Sequence, residues 1–272
     1  MLYGLLKRGL LGPALHVVFR PHAEGVEHIP ESGPVLLVAN HQSFSDSIFM
    51  PLLTPRPVKF LAKAEYFTGR GVKGWFSKGF FAGVGSVPID RAGAKAADAA
   101  LKTALRLLEQ GQIVGLYPEG TRSPDGRLYK GRTGAARIAL TARCPVVPCA
   151  IAGTEKVQPT GKLVPSVHPV TVTFGPPLDF SRYSDALWDQ VRDTEHEHTV
   201  LRAITDEIMH TLMRMTGSEY VDRYASDVKK APAIPADDQA ALAGNAGRRS
   251  RRAGSDARSR SPSPAGSAGW WA

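Results

Sequence analysis

Short apolar runs punctuate this chain at intervals long enough to hold a helix between them. Val35-Leu36-Leu37-Val38-Ala39 and Ile113-Val114-Gly115-Leu116 have the length and apolar continuity of buried strands, and similar stretches lie near 57–62, 85–89, 146–151 and 170–174. Among them, Ala97, Ala100, Leu101, Ala104, Leu105 and Leu108 recur at helical spacing. Asp98 and Lys102 add an i,i+4 ion pair and Gly111 a stop, so a helix is predicted over 94–110. Two further helices are predicted, one over 134–142 and a long one over 184–215. Strand and helix signals in alternation predict an α/β fold, with a mixed central sheet flanked by helices in a single domain. With 272 residues, 43% of them hydrophobic, the chain can bury a core of that kind.

Both ends depart from this pattern. Residues 1–23 carry Leu2, Leu5, Leu6, Leu10, Leu11, Val17, Val18 and Phe19 beside Lys7, Arg8 and Arg20. That composition fits a short N-terminal interfacial helix kinked at Pro13, and it fits a helix packed on the domain equally well. The domain proper is assigned to 24–230. From 231 to 272 the chain is rich in Ala, Ser, Gly, Pro and Arg, with no apolar periodicity before Trp270 and Trp271, and reads as a disordered tail. Its Arg248-Arg249 and Arg251-Arg252 pairs suit anionic lipid, nucleic acid or no partner, and a nucleic-acid partner is not expected.

The net charge of +9 is unevenly spread. Between 56 and 78 lie Arg56, Lys59, Lys63, Arg70, Lys73 and Lys78 against Glu65 alone, and Phe67, Trp75, Phe76, Phe80 and Phe81 fall within or just beyond that stretch. Large aromatics beside cations suit the headgroup level of an anionic membrane, although a core-covering hairpin with solvated charges has the same composition. No segment spans a bilayer. The longest run free of Asp, Glu, Lys and Arg is the 16 residues between Lys162 and Asp179, and Pro165, Pro169, Pro176 and Pro177 break it. A peripheral or monotopic protein on the cytoplasmic face of the cell membrane is therefore expected, with no signal peptide. Cys144 and Cys149 give neither a disulfide framework nor zinc spacing and read as buried or free thiols. His196 and His198 alternate with Glu195 and Glu197, which suits a solvated helix face better than a metal site, so no metal is expected.

The candidate chemistry starts at Asn40-His41-Gln42-Ser43-Phe44-Ser45-Asp46, directly after the first apolar run. Ser43 or Ser45 offers a helix cap, which places His41 and Asp46 where strand passes into helix. An imidazole can take a proton from a hydroxyl, and an aspartate on its other ring nitrogen fixes the tautomer and stabilises the imidazolium. On spacing alone the pair also fits a histidine satisfied at a strand end and an aspartate in a first helical turn. A serine nucleophile is excluded by the absence of a Gly-x-Ser-x-Gly elbow. Anion chemistry appears twice more. Gly85-Ser86-Val87-Pro88-Ile89-Asp90 ends in Arg91, and Tyr117-Pro118-Glu119-Gly120-Thr121-Arg122-Ser123 combines a close-approach glycine, a hydroxyl and a planar guanidinium.

These segments, with Cys144-Pro145-Val146-Val147-Pro148, stand in the order and spacing of the four motifs of the glycerolipid acyltransferases. The chain resembles the short bacterial 1-acylglycerol-3-phosphate acyltransferases over roughly residues 24–215. The resemblance implies His41 as general base and Asp46 as its polarising partner, with Arg91, Glu119, Gly120, Thr121 and Arg122 holding the glycerol phosphate. Lys63 matches a basic position near the same phosphate, and the fourth motif would line the acyl groove. The implied reaction moves an acyl group from acyl-CoA or acyl carrier protein to the free hydroxyl of 1-acylglycerol 3-phosphate, giving phosphatidate, with no cofactor. Glycerol 3-phosphate or another lysophospholipid is the alternative acceptor, and a non-catalytic membrane lipid-binding protein is the rival class.

Overall fold

The computed structural model describes residue 9 and residues 11–63, 86–89, 95–159, 162, 164–184 and 187–230. Arg91, the aromatic and basic stretch 66–81 and the tail 231–272 lie outside the described residues, as do most of the first ten.

Among the described residues nine strands run in chain order: β1 (His22–Glu24), β2 (Val35–Ala39), β3 (Val58–Lys63), β4 (Ser86–Ile89), β5 (Ile113–Leu116), β6 (Leu128–Tyr129), β7 (Val146–Ala152), β8 (Thr171–Phe174) and β9 (Tyr220–Val221). The helices are α1 (Leu11–Phe19), α2 (Asp46–Leu53), α3 (Lys95–Glu109), α4 (Gly134–Ala142), α5 (Thr154–Val157), α6 (Ser181–Ser184), α7 (Leu187–Val191), α8 (Glu197–Thr216) and α9 (Ala225–Lys230). Seven strands form one sheet in the order β1-β8-β7-β2-β5-β3-β4, and β6 pairs with β9 separately. All neighbours in the large sheet are parallel except β7 and β8, so the expected mixed α/β architecture is what forms. The six expected strands correspond to β2, β3, β4, β5, β7 and β8.

β2 is central and fully buried, and its side chains divide the core. Leu36 and Val38 join the cluster of Ala104, Leu108, Ile138, Trp188, Ile204 and Leu212 on one face. Val35, Leu37 and Ala39 join Phe49, Met50, Phe60, Val172 and Phe174 on the other. A strand covered on both sides must be continuously apolar, which is why its sequence showed a run rather than an alternation. Truncating Leu37, fully buried, to alanine is expected to cost about 2–5 kcal/mol of stability.

Three expectations change. The long helix over 184–215 is broken: Asp193 takes a left-handed φ of 63°, its amide donates to the Glu197 carboxylate at 2.9 Å, and α8 starts only at Glu197. Glu197 is buried and paired with Arg137, so it does not share the solvated surface of His196 and His198. Pro13 stands in the first turn of the described part of α1, and the segment before it, on which the expected kink turns, lies outside the described residues. Sheet and core also begin before residue 24, since β1 starts at His22 and Leu15 and Phe19 of α1 pack into the second cluster. Phe19 meets Phe49 edge to face at 5.3 Å, while Val17 on the same helix is 76% exposed.

Candidate active site

The parallel arrangement brings the carboxyl ends of β2, β5, β3 and β4 to one edge of the sheet, the edge where open α/β sheets place their ligands. His41 lies two residues beyond β2. Asn40 fixes the end of that strand: its side-chain amide donates to the Ile151 carbonyl at 2.9 Å and accepts from the Ile151 amide at 2.8 Å.

His41 is then held at four points. Its Nδ1 donates to Asp46 Oδ2 at 2.8 Å. Its backbone N–H donates to Glu119 Oε2 at 2.9 Å, and its carbonyl accepts from the Ser123 amide at 2.7 Å. Its ring stacks on Tyr117, with centroids 3.9 Å apart and planes 9° from parallel. Tyr117 in turn stacks on Phe60 at 5.7 Å, and its hydroxyl is 2.9 Å from that of Ser47. Gly115 makes room for this column. A Cβ there would stand 2.6 Å from Phe60 Cε1, so the apparently weak glycine in β5 is a packing requirement. Burial, and secondarily the charge of Asp46, raises the Tyr117 phenol well above its ordinary value, so Tyr117 is a neutral platform.

Asp46 begins α2, and its side chain is 0% exposed. Besides the imidazole, Oδ2 accepts the backbone N–H groups of Gln42 at 2.8 Å and Ser43 at 2.9 Å. Three donors on one oxygen fix the side chain in orientation. Oδ1 is buried with no hydrogen-bond partner among the described residues. The expected serine cap does not form: Ser43 Oγ donates to the Gln158 carbonyl and Ser45 Oγ to Gln158 Oε1, at 2.9 and 3.1 Å. The His41 ring keeps a small opening, its side chain being 17% exposed, and Nε2 has no protein partner among the described residues. The pair therefore presents a basic nitrogen outward with its tautomer fixed from behind.

Glu119 departs from the phosphate contact expected of it. It is 1% exposed, and its Oε1 accepts from the Tyr129 amide at 2.9 Å while Oε2 holds His41. Burial drives its carboxyl up to about 7, against those two hydrogen bonds. Among the described residues no ion pair joins it to Arg122. It is a bracket between two loops. Gly120 follows at φ 73°, in the left-handed region that its missing side chain allows. Thr121 and Arg122 are half-buried beside it. Lys63 ends β3 at the same sheet edge, and its side chain lies outside the described residues, as does Arg91.

Two backbone amides near the imidazole are already used within the protein. The His41 amide serves Glu119, and the Gly120 amide donates to the Tyr117 carbonyl at 3.0 Å. The fourth motif is also not a groove. Val146, Val147, Pro148 and Cys149 are buried in the sheet beside β2 and offer no surface to an acyl chain. Both thiols are free and buried, with Cys144 pushed by desolvation up to about 12. Sequence reasoning missed Tyr117, Asn40 and Lys229, whose Nζ donates to Thr121 Oγ1 at 3.1 Å. Among the described residues no group of three or more His, Cys, Asp or Glu could hold a metal ion.

Comparison with known proteins meets the same residues. Residues 20–152 match the family model described as Acyltransferase. A chloroplastic 1-acyl-sn-glycerol-3-phosphate acyltransferase of Brassica napus is 35% identical over 182 residues, covering 66% of this chain and 51% of the relative. One from Arabidopsis thaliana is 36% identical over 149 residues, 54% of this chain and 40% of the relative. The chain thus spans about half the length of these curated relatives. The crystal structure of the 1-acyl-sn-glycerophosphate (LPA) acyltransferase of Thermotoga maritima superposes with a TM-score of 0.57 at 24% identity, over 85% of this chain and 81% of that one, and has the same fold. His41, Asp46 and the 117–123 loop all fall inside the segment that matches the acyltransferase model.

Proposed function

We propose that the protein transfers an acyl group from a thioester of coenzyme A or acyl carrier protein to the free hydroxyl of 1-acylglycerol 3-phosphate, giving phosphatidate. The observation that carries this reading is His41, oriented from behind by the buried Asp46 carboxylate and presenting an unpartnered Nε2 at the rim. The names of the relatives support the acceptor.

Nε2 takes the acceptor's hydroxyl proton as that oxygen attacks the thioester carbonyl carbon. Asp46 stabilises the imidazolium that forms. When the tetrahedral intermediate collapses, the carbon–sulfur bond breaks and the departing sulfur recovers the proton from Nε2. Protons balance, and the protein returns to its starting state. Stacking on Tyr117 and the Glu119 bracket keep the ring from turning away, so little orientational freedom is lost at the moment of reaction. Arg122, with Lys63 and Arg91, would hold the acceptor's phosphate by the family resemblance.

Features at the same edge support a membrane-surface location. Among the described residues no helix is long and apolar enough to cross a membrane. Because β8 runs antiparallel to β7, residues 164–170 and the end of α1 emerge beside His41 rather than opposite it. Val17, Val18, Val164 and Val167 are exposed there. Exposed apolar residues at the same sheet edge as the base suit an acceptor drawn from a bilayer.

Thiol release tests the reading directly, with acyl-CoA and acyl carrier protein donors against lysophosphatidate, glycerol 3-phosphate and other lysophospholipids. Release is expected to require lysophosphatidate and to fall about 10²–10⁴-fold in His41→Ala. Turnover preserved in the variant would overturn the mechanism. Silence from every donor and acceptor would overturn the function.

A further inference from the structure

The 120–122 loop gathers more positive charge than its surroundings neutralise. Arg122 makes no side-chain hydrogen bond or ion pair among the described residues, and neither do the backbone N–H groups of Thr121 and Arg122. Two further cations converge on the same turn. Lys229, on α9, places Nζ 3.1 Å from Thr121 Oγ1 and also donates to the Arg122 carbonyl. An ammonium has three N–H groups, so one remains open. Arg132 runs beneath the turn, its Cδ and Nε 3.2 Å from where a Gly120 Cβ would stand. Its guanidinium lies over the Tyr224 ring at 4.8 Å and donates to Ser226 Oγ at 2.9 Å. That hydroxyl donates to Asp227 Oδ1 at 3.1 Å, which leaves Asp227 one residue removed from the guanidinium. Neither Lys229 nor Arg132 forms an ion pair among the described residues. Glu119, the acid that acts on Lys229, is buried below the turn.

We propose that Lys229 and Arg132 complete the phosphate subsite with Arg122, so that the phosphomonoester of the acceptor is gripped by cations from two widely separated parts of the chain. The inference rests on the acceptor reading above and names the residues that would select it.

A strap that merely fastens α9 to the loop would need only the two bonds Lys229 already makes. It would have no use for an ammonium beside an unneutralised guanidinium. Burial and the charge of Arg122 both push the Lys229 amine below its ordinary value, a cost of the ligand-free protein that a dianion between them relieves. A phosphomonoester carries up to two charges, whereas a phosphodiester headgroup carries one, so three cations favour an acceptor with a terminal phosphate.

The test is calorimetric titration of the full chain with sn-glycerol 3-phosphate, alongside KM and kcat for lysophosphatidate. Lys229→Met is expected to weaken glycerol 3-phosphate binding about three- to tenfold and to raise KM equally, with kcat within about twofold. Lys229→Arg should restore most of the affinity. Arg132→Met, which leaves the Lys229 contacts in place, should weaken binding about as much, and Arg132→Lys, which keeps the charge, should restore part of it. Affinity in Lys229→Met equal to wild type, or no binding by wild type, would overturn the proposal. So would a fall in kcat at constant KM that Lys229→Arg does not rescue. Binding that depends on Lys229 in a protein that releases no thiol would keep the anion subsite and overturn the acyltransfer reading.

Discussion

The dyad and the basic turn sit on neighbouring strand ends and are built on opposite plans. Around His41 the backbone amides of His41, Gln42 and Ser43 are spent on carboxylates, and the imidazole is clamped against Tyr117. Around Gly120 the guanidinium of Arg122 and two backbone amides have no protein partner among the described residues. A proton-transfer group must be aimed before the substrate arrives, so its neighbours are satisfied internally. A charge-recognition group must leave its hydrogen bonds unmade until then. The contrast explains why the first region is buried and the second stays accessible.

Breaking the pre-arranged region should give the largest effects. Asp46→Asn keeps the size of the side chain and removes its charge, and is expected to lower kcat about 10²–10⁴-fold with little change in KM. Steady-state kinetics on a variant of unchanged melting temperature checks this. Glu119 comes next. The folded chain holds its proton up to about 7, while an unfolded chain releases it near 4.5. The group's contribution therefore favours the fold below about pH 4.5 and is lost as pH rises toward 7, by roughly 3 kcal/mol. Glu119→Gln should flatten that slope in denaturant titrations across pH. It should also cost about 1–3 kcal/mol, since an amide NH₂ would meet a backbone N–H.

Gly115→Ala should act at a distance from the chemistry. Its Cβ would force Phe60 aside and tilt the column beneath His41, costing about 1–3 kcal/mol and a measurable part of kcat. In the open region, Arg122→Lys should raise KM about tenfold with kcat nearly unchanged, because a point charge replaces a planar fork. A chain ended after residue 230 should retain full turnover in detergent, and loss of activity there would give the tail a role in catalysis.

The contrast also marks what the sequence could disclose. His41 and Asp46 lie within one strand-to-helix turn, so their pairing was written in local spacing, and the continuous apolarity of β2 announced a central strand. Glu119 reaches His41 across 78 positions, and Lys229 reaches Thr121 across 108, and no local pattern encodes such meetings. The family resemblance assigns Glu119 to the glycerol phosphate and carries no information on which way a side chain turns. Only the fold shows it turned inward. β6 and β9 hold two residues each, too few for a periodicity, and the charged run 192–198 looked helical until a left-handed Asp193 interrupted it.

Asn40 grips Ile151 from 111 positions away, and this has a consequence for the order in which the protein comes into being. Synthesis proceeds at about 5–20 residues per second, so the histidine leaves the ribosome roughly 6–20 seconds before the strand that anchors it. Until β7 docks, Asn40 lacks the backbone partner that fixes the end of β2, and Ser43 and Ser45 lack theirs on Gln158. A nascent chain that has already released residues 40–46 is thus expected to leave the end of β2 unfixed until β7 pairs with it.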